Sequence, residues 1–466
     1  MVALSGVLRH AFWDTLGWLE HWDGHVMSMD ILTNGDLLLL VVAVAYVLLM
    51  VAAIVKMVAS VLLGNSRGDH EQGTAESGGD SLAQILEILR YDALRPPRHT
   101  SKLCFLLGTG YQLYVAFMYV LILILLGFVT ATAASVVPTA LNLFHTFGVV
   151  AGFVAALVGK SFNLAPCERR KTAIYAGLAY PGICLLAYGV ASIVSPASKT
   201  PSDDAGSMHD RPTLTSPGVL RPNETVPYLL LLWMVNVALA RCGGHWARTR
   251  RLLLWRGYPF REEPLPIPQQ PWYSRLAPTC LAGGIPVAAG GVLAAWLCVT
   301  GAAKPSFLWG SAFMLVAVLS FIASCATVSI GVTLLQLRNG DYRWWWRSFA
   351  TSAFGGVYVF VSCMVVKPYA YLAPSMAHYC AFAFIGSLGF ALLAGTSGFC
   401  ASFLLVPKIY SRRSHIHEPP RSTELADVEE HPSAAEAPRA DNADGGSRLG
   451  DDIEESEEIR LSIAAQ

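Results

Sequence analysis

The chain has 466 residues, is 54% hydrophobic and 14% charged, and carries equal numbers of basic and acidic side chains, so its formal net charge is zero. Its mean hydropathy of +0.46 excludes a soluble globular protein, because one core of this size cannot hide so many apolar side chains; the chain reads as an all-α polytopic membrane protein. Nothing in this balance calls for a nucleic-acid partner or a cofactor.

Charge-free runs of about 20 residues, long enough to cross hydrocarbon as helix, recur along the chain. Nine are read from the sequence. The first covers Leu37 to Val55. From Leu103 to Gly159 only His145 can carry charge, and Pro138 is taken to divide that stretch into the second and third spans. The fourth lies near Ala173 to Val194 and the fifth near Val226 to Trp246, with Arg241 close to its end. Leu281 to Ala303, Phe307 to Leu337, Phe349 to Val366 and Ala377 to Val406 complete the set. Just before the eighth run, GDYRWWWRS puts three tryptophans between Arg343 and Arg347, a composition suited to a membrane–water interface.

Lys and Arg beside a span are held on the cytosolic side. With the N-terminus lumenal, twenty-three of the thirty-three basic residues fall on the cytosolic side up to Arg413 and six on the other, and an odd number of spans leaves the C-terminus cytosolic. Residues 1–36 lack the pattern of a secretory signal peptide, so the first span is expected to do the targeting. This short lumenal segment holds Trp13, Trp18 and Trp22, suited to an interfacial helix. Residues 196–225 read as a disordered lumenal loop ending in the sequon Asn223-Glu224-Thr225, a glycosylation candidate. The stretch 412–466 reads as an acidic disordered cytosolic tail.

The ten cysteines lie in or beside spans and do not read as a disulfide framework, and no CxxC metal spacing occurs. His21, Asp23 and His25 are close enough in sequence to touch a metal but read more simply as a polar loop. Gly395-Thr396-Ser397-Gly398 has the form of an intramembrane serine protease motif, and its serine would need a histidine base, for which His145 is the clear candidate. Asp92, Asp36 and Asp341 sit in YD or NGD contexts without the flanking glycine of an aspartyl intramembrane protease. Gln112, Asn142 and Asn236 could line a polar path or bond within the bundle. No catalytic chemistry is expected from this inventory.

Several blocks together resemble the nonaspanins, the transmembrane 9 superfamily. They are RYDALRPPRH (90–99), GTGYQL (108–113), AYPGI (179–183), PIPQQPWYSR (266–275), GDYRWWWRSF (340–349), GTSGF (395–399) and KIYS (408–411). The resemblance covers roughly residues 20–411 and implies a nine-helix domain over residues 37–411. It also implies an integral multi-pass protein of Golgi or endosomal membranes that assists the localisation of other membrane proteins by recognising their transmembrane spans. Its partners would be membrane lipids, integral-membrane cargo and vesicle-coat machinery. Three departures stand out. Nonaspanins carry a large lumenal domain before the first span, where this chain has 36 residues, so either the start is late or the form is reduced. The family's glutamate in span seven is replaced within Ser324-Cys325-Ala326. No lysine follows Lys408, so retention through a terminal lysine signal is not expected.

Each candidate site has a structural reading beside its functional one. Arg95, Pro96 and Pro97 form a rigid turn or a docking surface for sorting machinery. Pro271, Trp272 and Tyr273 end a semi-extended proline segment in an aromatic anchor or bind a cytosolic partner. Trp344, Trp345, Trp346 and Arg347 anchor the interface or contact lipid or cargo. Gly283, Gly284, Gly290, Gly291, Gly386, Gly389, Gly395 and Gly398 allow close helix approach, either within the bundle or to a cargo span. A transporter or channel for a neutral solute or lipid is the alternative function, with an intramembrane serine protease behind both.

Overall fold

A backbone crossing hydrocarbon must satisfy its own hydrogen bonds, so charge-free apolar runs become helices. In the computed structural model the described residues are 34–63, 89, 92–93, 95–194, 222–249, 266–304, 306–366 and 376–414, all within the unit Met1–Ser414. They form α1 (Asn34–Leu63), α2 (Thr100–Leu125), α3 (Ala133–Thr146), α4 (Gly148–Ser161), α5 (Pro166–Val194), α6 (Pro222–Trp246), α7 (Leu276–Ala302), α8 (Phe307–Arg338), α9 (Trp344–Ala353), α10 (Gly355–Val366) and α11 (Met376–Ser414). Among the described residues there is no strand. Among the described residues eight segments are long and apolar enough to span a membrane, with α9 and α10 counted together, and the pair α3–α4, bent by 43°, makes a ninth when counted as one span. The expected polytopic all-α architecture is therefore borne out. The segment 1–33, which holds Trp13, Trp18, Trp22 and the His21, Asp23, His25 group, lies outside the described residues, as do 195–221 and 415–466.

Three boundaries differ from expectation. Pro138 does not divide the second and third spans; it lies in the second turn of α3, where the loss of one backbone bond is tolerated in a membrane helix. The reversal instead occupies residues 126–132, where Gly127 takes φ +77° and the hydroxyls of Thr130, Thr132 and Ser135 interlock. The fifth span itself, Pro227–Trp246, starts where expected, but its helix begins earlier, at Pro222, so Asn223 stands in the first turn of α6 rather than in a loop. The eighth begins at Trp344, which puts the tryptophan block on the helix itself.

Helices α2 to α6 pack on one another, as do α1 and α7 to α11, and the two groups meet chiefly where α11 lies against α2 and α5. There a Cβ on Gly110 would run into Thr396 and the Leu392 carbonyl, so only glycine permits that crossing. Tyr180 Oη donates to Ile385 O across the same seam at 3.2 Å. Helix α1 packs along α8. Asp36 pairs with Lys304 at one end, Tyr46 Oη meets Ser324 Oγ at 2.8 Å in the middle, and Met57 lies against Gly331 at the other. The two run parallel, as first and seventh crossings must, which agrees with α3–α4 acting as a single bent crossing.

The first group is tied by one buried polar knot. Pro181 has no N–H, which leaves the carbonyl of Gly177, four residues earlier, without its helical donor. Asn236 Nδ2 of α6 supplies the bond at 2.6 Å. Asn236 Oδ1 in turn accepts from Gln112 Nε2 of α2 at 2.7 Å, and the same amide donates to Phe144 O at 2.6 Å beside the α3–α4 break. Gly148, just past that break, has room for no Cβ because Asn236 occupies the space. Gln112 and Asn236 therefore bond inside the bundle and line no path. Asn236→Leu should leave two buried groups unsatisfied, at about 1–3 kcal/mol each. The thermal unfolding midpoint of the detergent-solubilised protein should drop clearly, while Asn142→Ala, which loses only the bond from exposed Tyr228, should change it little.

Candidate functional site

The motif blocks separated along the chain converge at one end of the bundle. Helix α8 ends in a glycine cap: Gly340 adopts φ +74°, its N–H bonds Leu337 O at 3.1 Å and that of Asp341 bonds Gln336 O at 3.0 Å, the two bonds of a Schellman turn. The Asn339-Gly340-Asp341 triplet is thus a helix stop and aims the Asp341 carboxylate inward. That carboxylate is fully buried. Its Oδ1 accepts from the Arg343 N–H at 3.0 Å, and its Oδ2 faces Arg347 Nη2 at 3.2 Å.

Arg347, one turn into α9, uses the rest of its guanidinium fork on neighbouring elements. Nη1 donates to Ser274 O at 2.8 Å, at the end of the PIPQQPWYS segment. With its amide oxygen turned inward, Gln336 Oε1 accepts from Nη1 at 2.9 Å and Nε at 3.0 Å. Planar, multi-donor geometry of this kind is what Arg provides and Lys does not. The side chain is 17% exposed, so the pair sits in a partly desolvated setting where each charge depends on the other.

Around this pair stand the aromatics. Trp344 and Trp345 are buried and stacked, with ring centroids 3.9 Å apart. Phe399 of α11 lies 6.1 Å from each of them, and Phe162 at the end of α4 meets Trp345 edge-on at 4.9 Å. A buried indole N–H needs an acceptor. Trp344 Nε1 finds Ala93 O at 2.9 Å and Trp346 Nε1 finds Arg98 O at 2.7 Å, so both fasten the RYDALRPPRH block to α9. Asp92 of that block is buried and pairs with Arg95 at 3.6 Å. Leu103, Leu107, Leu337 and Val406 complete the largest apolar cluster of the described residues.

This placement corrects one expectation. Trp344 and Trp345 do not sit in the headgroup layer, since they are 0% and 3% exposed; Trp346 and Arg347 beside them are half-buried. Exposed aromatics at this end include Trp272 and Tyr273, which follow Pro271 in extended conformation. Arg95 and Pro97 are half-buried and Pro96 is exposed. Of the two readings given for the glycines, the contacts favour packing within the bundle. A Cβ on Gly283 would strike Thr351, on Gly284 Tyr358, on Gly290 Ser324, on Gly291 Phe390, on Gly389 Tyr180, on Gly395 Phe349 and on Gly398 Ser352. These seven are buried by the chain's own helices and offer no face to a cargo span. Gly386 alone of the eight has open space around it.

The remaining readings resolve into packing. Ser397 Oγ donates to Leu393 O at 2.9 Å and His145 Nδ1 bonds Leu141 O at 2.7 Å, so each is held within its own helix. Asp36, Asp92 and Asp341 are all ion-paired. All ten cysteines are free, and among the described residues no three His, Cys, Asp or Glu side chains gather to hold a metal ion. Sequence reasoning missed the Ser402 hydroxyl, which bonds Ser329 Oγ at 2.8 Å and Thr333 Oγ1 at 2.9 Å and clamps α11 to α8. Small polar residues on apolar helices were the only available signal.

Residues 14–208 and 215–371 match the model of the family described as Endomembrane protein 70. The chain belongs to that family. Relatives include transmembrane 9 superfamily member 4 of Homo sapiens, 24% identical over 409 residues, 84% of this chain and 58% of that protein. Member 10 of Arabidopsis thaliana is 24% identical over 412 residues, covering 84% and 59%. The putative phagocytic receptor 1a of Dictyostelium discoideum is 26% identical over 400 residues, covering 84% and 59%. The chain thus spans under two thirds of the length of these relatives, and the nonaspanin resemblance of its motif blocks is borne out. No solved structure matches.

Arg347→Ala should strand the Asp341 carboxylate in a buried site and destabilise the fold by about 3–5 kcal/mol, read as a lower unfolding midpoint. Adding Asp341→Asn should recover a substantial part. Gly398→Leu should overpack the α9–α11 contact by roughly 1–3 kcal/mol, whereas Gly386→Leu should leave the melting profile unchanged.

Proposed function

We propose that this member of the Endomembrane protein 70 family helps other integral membrane proteins reach their membranes, working in Golgi or endosomal membranes with its N-terminus lumenal and its C-terminus cytosolic. The observation that carries the reading is a set of interior polar groups bonded to one another across helices. Gln112, Asn236, the Gly177 carbonyl, Ser329, Thr333 and Ser402 bond across helices. That arrangement builds a rigid body that acts through its surface. The name of the Dictyostelium relative as a putative phagocytic receptor points in the same direction.

The buried glycines leave the recognition of client spans to outward faces, and α1 is the best supplied. It packs along one side on α8, and Leu38, Val41, Leu48, Leu49 and Val55 are each more than half exposed. A client span laid there would be gripped by van der Waals contact, the main attraction between helices in lipid. At the basic end, Pro96 and Arg98 are exposed and offer a surface to coat machinery.

Surface-labelling proteomics of cells with and without this protein tests the reading. Selective loss of a few multi-span proteins is expected, restored by the natural chain and poorly restored by a chain carrying Leu38→Ala, Leu48→Ala and Leu49→Ala that still inserts. An unchanged surface proteome with altered flux of one neutral solute would establish a carrier instead.

A further inference from the structure

The buried tryptophan pair leaves the interface-anchoring role at this end of the bundle to other residues. Trp272 is 73% exposed and Tyr273 48% exposed, packed edge to face against each other. They stand one turn before Leu276, Leu281 and Ile285, exposed along α7, so the aromatics prolong a lipid-facing stripe to the membrane boundary. The loop that carries them is held rigidly. Ser274 O accepts from Arg347, Gln270 Nε2 donates to Asn339 O at 3.0 Å, and Pro268 lies over Gly340, 3.1 Å from where its Cβ would be.

Those contacts bring three exposed arginines into one neighbourhood. Arg275 follows Ser274, Arg338 precedes Asn339, and Arg343 follows the Gly340 turn with a side chain 53% exposed. Among the described residues of these segments the single carboxylate is Asp341, which is buried, paired with Arg347 at 3.2 Å and reached at 3.4 Å by Arg343 Nε. One carboxylate against four arginines leaves the described residues of the patch net positive. We propose that Trp272, Tyr273, Arg275, Arg338 and Arg343 form a binding site for the headgroup of an anionic phospholipid, the rings lying at headgroup depth and the guanidinium groups taking the phosphate oxygens. Charge complementarity selects this occupant: Arg pairs with phosphate through parallel N–H donors, and aromatic rings settle at the lipid–water boundary. The site is independent of the trafficking role proposed above.

The test is tryptophan quenching of the full chain in vesicles, taking as signal the emission that W272F removes. Brominated phosphatidylserine should quench this signal at a lower mole fraction than brominated phosphatidylcholine, and each arginine near an anionic surface contributes on the order of fivefold in affinity. The variant R275Q/R338Q/R343Q should lose the preference yet still be quenched by the neutral lipid, with Arg347 and Asp341 untouched so that the helix ends stay fastened. Equal quenching by the two lipids in the natural chain would overturn the proposal. So would a signal quenched by aqueous acrylamide alone, which would mark a surface open to a soluble protein, or by neither agent, which would mean that other parts of the chain cover the patch.

Discussion

A buried carboxylate at the boundary of a membrane bundle survives only with a cation held at fixed geometry beside it, and the Asp341–Arg347 pair is the contact on which one end of this molecule depends. Its members come from the cap of α8 and the first turns of α9, and the arginine's remaining donors reach Ser274 and Gln336. Three helix ends are thereby set in register. The stacked Trp344 and Trp345 follow from this. Once α9 is fixed, their rings have one place to go, against Phe399 and Phe162. The indole N–H groups of Trp344 and Trp346 then hold loop carbonyls that would otherwise lack a donor.

Deeper in the bundle the same requirement is met without charge. Pro181 frees a carbonyl, Asn236 answers it, and Gln112 answers Asn236. Small residues then let the helices close around the knot, as Gly152 does where a Cβ would enter the Ala240 backbone. Polar bonding and close approach support each other here, because the amides reach across only if the backbones come near. Glycines allow close approach in both helix groups, but the polar clamps differ: amides within α2 to α6, hydroxyls and the arginine pair within α7 to α11.

The crossings were legible because hydrocarbon imposes a length and a lack of charge that no tertiary contact alters. The reversal between the second and third spans was not, since proline marks helix ends in water but not in lipid, while Gly127 looked like any other small residue. The tryptophan block misled for a related reason. Trp and Arg beside an apolar run is the composition of an interface anchor, and it is equally that of a stacked pair sealed over a buried ion pair. The distinguishing partners, Ala93, Ser274 and Phe399, lie far away in sequence. Conversely, the proline segment ending in Trp272 and Tyr273 was read as an aromatic anchor, and exposure was predictable there because rigid prolines keep the chain out of the helices. Glycine stripes could not be assigned at all from sequence, because close approach looks the same whether the neighbour is this chain or another.

The substitution within span seven shows how far the interior has been committed to structure. Where the nonaspanin resemblance implies a glutamate, Cys325 packs with Val287 and Ala394 in an apolar cluster beside Phe321 and Phe390, and its carbonyl receives the Ser352 hydroxyl at 3.4 Å. Next to it Ser324 bonds Tyr46 of α1 and the Ser320 carbonyl. A carboxylate at position 325 would face that apolar cluster without a cation, a cost of several kcal/mol, so this bundle is built for a neutral side chain there. A task requiring a charge to load and unload at that depth has no group in position 325 to perform it. Among the described residues, the surfaces proposed above to engage other molecules are outward: the bare side of α1, the exposed turn at Pro96, and the aromatic and arginine patch at the start of α7. The proposed function accordingly rests on the perimeter, which the bonded interior holds in shape.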